Sequence, residues 1–166
     1  HTLLEQLQTY KGADEIVFAE GGALHVLELL GELDASIYII ARRPSCPGVF
    51  NAILEARVNK FSFFTSVKTL PSLFLPKRSQ KTAHGSALSV LVHDELFKFL
   101  QDELHLMFNT SDVKHFRNAA YKDIITYYEH YNDLDVDEES IKSEAIKSFV
   151  TQVQKLPDFS QYQFKR

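Results

Sequence analysis

Apolar positions change their period along the chain, and the changes predict its elements. Leu3, Leu4, Leu7 and Tyr10 recur at helical spacing, which predicts a helix over 2–11 closed by Gly12. Glu15 to Ala19 (EIVFA) is too short for a helix and rich in β-formers, so a strand is predicted there. The pattern is helical again from Gly22 to Leu30, up to Gly31. Ser36 to Ala41 (SIYIIA) is a continuous β-branched and aromatic run, as expected of a strand buried on both faces. Gly48 to Lys60 reads as helix, with Phe50, Ile53, Leu54 and Val58 on one side, and Phe61 to Val67 as the next strand. Residues 68–86, with two prolines, the basic KRSQK patch and His84-Gly85-Ser86, read as loop. Ala87 to Val92 returns to strand, and Asp94 to Leu106 to amphipathic helix.

Strands alternating with helices imply an α/β fold: a Rossmann-like parallel sheet with flanking helices and right-handed crossovers. After Gly85 there is no glycine, and no proline until Pro157. That shift predicts a lobe over 1–106 and a helical extension and tail over 107–166. Two helices are expected in the extension, at 112–131 and 138–155, joined by the acidic NDLDVDEES.

Composition narrows the classes. A net charge of −4 gives no nucleic-acid footprint. Residues 1–92 hold nine Lys/Arg against eight Asp/Glu and 93–166 nine against fourteen, so the first part better suits an anionic ligand. A single cysteine, Cys46, excludes an internal disulfide framework or a cysteine-built zinc site. No apolar run is long enough to span a bilayer.

Gly21-Gly22 falls where the first strand ends and a helix begins, the position at which open α/β sheets bind ligands. Two readings stay open. Either the pair simply makes a tight turn, or it clears Cβ atoms from a diphosphate held on helix N–H groups. The spacing is neither GxGxxG nor a Walker motif. Arg42-Arg43 lies on the same rim, either as a bidentate diphosphate clamp or as two solvated arginines before Pro44 and Pro47. Glu20 is a candidate base, or only a carboxylate favoured by a helix N-terminus. His25 sits within the first turn or so of its helix, facing cleft or core.

The run Glu5-Gln6, Ala13-Asp14-Glu15-Ile16-Val17 and Glu20-Gly21-Gly22-Ala23-Leu24-His25 resembles the carboxyl-terminal lobe of glycosyltransferase family 61, in its bacterial capsular and surface-polysaccharide form. Ile37 to Arg43 and the helix around Phe50, Leu54 and Arg57 fit the same pattern, so the resemblance covers roughly residues 1–75. Gly21 and Leu24 match the family's His-Gly-Ala-Gly-Leu loop, Gly22 and Ala23 exchange its Ala-Gly order, and Glu20 stands where many members have His. The resemblance implies a GT-B-type donor lobe for a nucleotide-diphosphate sugar, a uridine one, and transfer to a saccharide acceptor with inversion. It implies that Gly21, Gly22, Ala23, Leu24, His25, Arg42 and Arg43 bind the donor, with Glu20 as the candidate catalytic residue. No cofactor or metal is expected, the arginines meeting the leaving group's charge instead. A further amino-terminal lobe and a cytoplasmic location, if need be peripheral at the inner membrane, complete the expectation.

Other motifs carry less. His84-Gly85-Ser86 sits among generic turn residues, and His93, His105, His115 and His130 show no metal-ligand spacing. Asp133-Leu134-Asp135-Val136-Asp137, with Glu144 twelfth, opens like a calcium loop but has Glu138 at the required glycine. Phe61, Phe63 and Phe64 lack the basic interleaving of a stacking platform. A nicotinamide oxidoreductase lacks its glycine fingerprint and an acidic residue closing the second strand. The rival is a non-catalytic Rossmann-like binding module. In the enzyme, Phe116, Ile124 and Phe149 are expected to brace the other lobe.

Overall fold

A computed structural model of the chain describes residues 2–73, 87–132 and 139–156, with Phe159 and Phe164. His84-Gly85-Ser86, the KRSQK patch and the acidic run from Asp133 to Asp137 lie outside the described residues. The chain forms two compact units. The first is residues 1–67 with 94–99, and the second 68–93 with 100–166. These units part at 67/68, whereas the sequence pattern drew its lobe boundary at 106.

In the first unit, helix α1 (Leu3–Lys11) starts on a capping box. Thr2 Oγ1 accepts the Glu5 N–H, and the Glu5 carboxylate accepts the Thr2 N–H at 2.7 Å. Gly12 closes the helix with its N–H on the Gln8 carbonyl. Strands β1 (Glu15–Ala19), β2 (Leu33–Ile40) and β3 (Val58–Phe64) follow, all parallel, in the order β1-β2-β3. Helix α2 (Cys46–Glu55) connects β2 to β3. This is an α/β unit with a Rossmann-like parallel sheet. The expected helix over 48–60 ends sooner, at Glu55, and Val58 opens β3 instead.

Alternation along the strands places Ile16 and Phe18 of β1 and Leu33, Ala35, Ile37 and Ile39 of β2 in one core, with Leu24, Leu27, Cys46, Phe50 and Leu54 from the connections. Tyr10 of α1 meets Phe18 edge-on at 5.2 Å. The other sheet face is more polar. There the Tyr38 hydroxyl, fully buried, donates to Glu15 and accepts from Lys60, both at 3.2 Å, tying the three strands together. Phe64 on that face packs against Phe99. The central strand is therefore buried on both faces at Ile37, Tyr38 and Ile39, as its unbroken apolar run requires.

Between β1 and β2 the helix Gly22–Leu29 is 3-10, not α. Its apolar row explains this. Leu24, Leu27 and Leu30 stand three apart, and only three residues per turn keeps them in one line toward the core.

Val67–Thr69 (β4) and Ser89–Leu91 (β5), which belong to the second unit apart from Val67, form a separate two-stranded sheet, so the strand expected at 87–92 does not join the parallel one. Helix α3 (His93–Leu104), whose residues 94–99 are counted in the first unit, ends at His105, which takes a left-handed conformation with φ 54° and donates to the Gln101 carbonyl. Helices α4 (Thr110–Asn132) and α5 (Glu139–Gln154) form the extension. Ile124 and Tyr128 of α4 meet Phe149 and Val153 of α5 in this unit's own core. Ile124 and Phe149, expected to brace another lobe, are thus used at home.

Candidate functional site

Glu20 is the residue after β1, and its N–H donates to the Ile40 carbonyl at 2.9 Å, extending the β1–β2 ladder by one step. Because strand side chains alternate, Glu20 follows Ile16 and Phe18 onto the core face. Only 4% of it is exposed. A carboxylate placed there must be compensated. The turn after β2 supplies the donors. Glu20 Oε2 accepts the N–H groups of Arg42 at 2.7 Å and Arg43 at 3.0 Å. Glu20 Oε1 accepts Arg43 Nε–H at 2.9 Å and, closer still, Arg43 Nη2. Burial pushes the Glu20 carboxyl upward, but the Arg43 side chain, the two backbone N–H groups and the Arg43 charge outweigh it. The net result is a carboxyl held below its usual range, and Arg43 in turn is raised, chiefly by its hydrogen bond to Glu20.

This geometry does not suit the expected general base. Both oxygens already accept at least two donors each, and a lowered pKa weakens affinity for an incoming proton. Glu20 instead organises the turn that carries both arginines.

The two arginines differ. Arg43 is 62% exposed in its side chain yet committed to Glu20. Arg42 gives Glu20 only its backbone N–H, and its exposed guanidinium has no ion-pair partner among the described residues.

Beside them, Gly21 is in extended backbone, with φ 165° and ψ −167°, which any residue adopts. No described glycine has a left-handed φ, and a Cβ on Gly21 or Gly22 would meet nothing within 4 Å. Among the described residues, neither backbone strain nor packing demands this pair. Gly22 and Ala23 are exposed, and the first helical hydrogen bond runs from Leu24 N–H to Gly21 O at 3.2 Å. The N–H groups of Gly22 and Ala23 therefore precede the helix ladder.

Two expected donor contacts are placed elsewhere. The Leu24 side chain is fully buried in the core and anchors the helix, so it cannot line a cleft. His25 is neither core nor free. It is exposed, its Nδ1 lies 2.7 Å from Glu28 Oε1, and its ring packs at 5.4 Å from Phe50. The rim thus gathers Glu20, Gly21, Gly22, Ala23, Arg42 and Arg43.

Cys46, the first residue of α2, belongs to the same cluster and carried no site role in the sequence pattern. Its thiol is fully buried. Burial, the Glu20 charge and its hydrogen bond to Glu20 push it up to about 12, Arg43 opposing. It is a neutral thiol at any physiological pH.

A cavity of about 580 Å³ lies at the other end of the sheet among Glu32, Asp34, Glu55 and Arg57. Three carboxylates against one arginine disfavour a phosphate, and the amino ends of the strands are not where such sheets bind ligands. The carboxyl-end rim is the better candidate. Among the described residues no cluster of three His, Cys, Asp or Glu could hold a metal ion, and no helix is long and apolar enough to cross a membrane.

No family model matches the chain, and neither a curated protein nor a solved structure matches it.

Proposed function

We propose that the carboxyl-end rim binds the diphosphate of a nucleotide-diphosphate sugar, and that the chain is the donor-binding lobe of a GT-B-type glycosyltransferase of surface-polysaccharide synthesis. One observation carries this reading. Gly21 and Gly22 leave open space that their own fold does not require, next to the Arg42-Arg43 turn hydrogen-bonded to the residue before them. Absence of Cβ atoms lets a ligand approach the backbone, and a guanidinium can grip a phosphate bidentately.

In this reading the donor is a uridine diphosphate sugar and the acceptor a saccharide. The cationic turn stabilises the departing diphosphate as its charge develops. The base that takes the acceptor's proton is a group other than Glu20. Such a donor places the reaction in the cytoplasm.

The rival, a non-catalytic binding module, draws on the same Glu20 geometry, because the rim then offers no free carboxylate. Thermal denaturation with and without UDP-glucose separates them. The donor reading expects stabilisation, about 2.7 kcal/mol at a hundred times the dissociation constant. No change at millimolar UDP-glucose would favour the module.

A further inference from the structure

We infer that Glu20 divides the work between the two arginines, committing Arg43 to the protein as a positioning partner and leaving Arg42 as the cation that meets the ligand's phosphates. The inference rests on the donor-site reading and assigns its charge to one side chain.

The bonding pattern supports it. Arg43 spends Nε and Nη2 on one oxygen of Glu20, while the other oxygen takes the N–H groups of residues 42 and 43. Two opposite charges in contact present a dipole to the solvent rather than a cation. Cys46, the third member, is neutral because burial and the Glu20 carboxylate keep its thiol protonated. Glu20, Arg42, Arg43 and Cys46 therefore sum to one net positive charge, and it sits on Arg42. One guanidinium fork serves one phosphate at a time, which suits a phosphate ester or diphosphate rather than a polyanion.

The consequence runs against the intuition that two adjacent arginines act as a pair. Losing Arg42 removes the ligand's partner. Losing Arg43 leaves a buried carboxylate undercompensated, which harms the fold more than the affinity.

The test is calorimetric titration of the 166-residue chain and its variants with UDP-glucose, whose diphosphate charges do not titrate near neutral pH. Arg42→Gln is expected to weaken binding about tenfold or more, as loss of a charge-assisted pair does. Arg43→Gln should stay within about threefold of the parent while its melting midpoint falls. If Arg43→Gln does not fold, Arg43→Lys, which keeps a charge for Glu20, is read in its place with the same expectation. A second comparison uses a readout that a purely structural role would not move. Glu20→Gln in the Arg42→Gln background frees the Arg43 charge, so the double variant should bind more tightly than Arg42→Gln alone.

Equal losses for the two arginine variants at native circular dichroism, or a double variant no tighter than Arg42→Gln, would overturn the division. Failure of the parent to bind UDP-glucose would instead overturn the donor reading. Inorganic pyrophosphate on the same proteins would then still rank the two arginines, and a parent that binds neither probe would overturn both.

Discussion

Glu20 and Arg43 join the ends of two neighbouring strands: Arg43 Nε–H donates to Glu20 Oε1 at 2.9 Å, from a turn whose own backbone N–H groups hold the other oxygen. A buried acid whose two oxygens take four donors from residues 42 and 43 is a fixed piece of architecture. The predictions below follow from it and from the open rim beside it.

Glu20 should make stability depend on acid in a defined direction. Its folded pKa is lowered, so its contribution is fully present above the unfolded value and is lost as pH falls through the folded one. Glu20→Gln should therefore cost on the order of 1–3 kcal/mol at neutral pH, by removing the charged acceptor of the donors from residues 42 and 43, and progressively less below about pH 4. Urea denaturation of both proteins at neutral and acidic pH checks this. A penalty that does not shrink in acid would mean that the charge of Glu20 is irrelevant.

Cys46 should be inert in the native protein. With a thiol pushed up to about 12, only about one molecule in ten thousand is thiolate at pH 8, and the sulfur is buried as well. Labelling with iodoacetamide should proceed only as the protein unfolds. Rapid modification under native conditions would show that the Glu20–Arg43–Cys46 packing opens readily.

Gly22 should be dispensable for folding. Its Cβ position is open and no left-handed φ is involved, so Gly22→Ala should leave stability unchanged or raise it by up to about 1 kcal/mol. Gly22→Val, with near-parent far-UV circular dichroism, should abolish binding of uridine diphosphate. A strongly destabilised Gly22→Ala would return the pair to a purely structural role.

His105 offers a separate check on the second unit. It ends α3 at φ 54°, a conformation that favours glycine. His105→Gly should stabilise the protein by about 0.5–1 kcal/mol in thermal or denaturant unfolding. A loss of stability would contradict the left-handed cap.

Much of this arrangement is legible in the residues. EIVFA and SIYIIA marked two parallel strands, and the Gly21-Gly22 position followed from where the first one ends. The 3-10 helix was also within reach, since Leu24, Leu27 and Leu30 repeat at three rather than alternating three and four. What stayed hidden was pairing. Alternation from Ile16 through Phe18 carries Glu20 onto the buried face, but that signal appears only once the strand is known to continue one residue past Ala19. Without it, Arg43 looks as available as Arg42, and Cys46 has no neighbours. The second sheet is hidden for a related reason, because pairing of β4 with β5 depends on distant partners rather than on either strand's own pattern.

The most direct measurement is a two-dimensional ¹H–¹⁵N NMR titration of the labelled chain with UDP-glucose. Binding at the proposed rim predicts the largest amide shifts at Gly21, Gly22, Ala23, Arg42 and Arg43. An absence of shifts, or shifts concentrated at Glu32, Asp34 and Arg57 at the opposite end of the sheet, would contradict it.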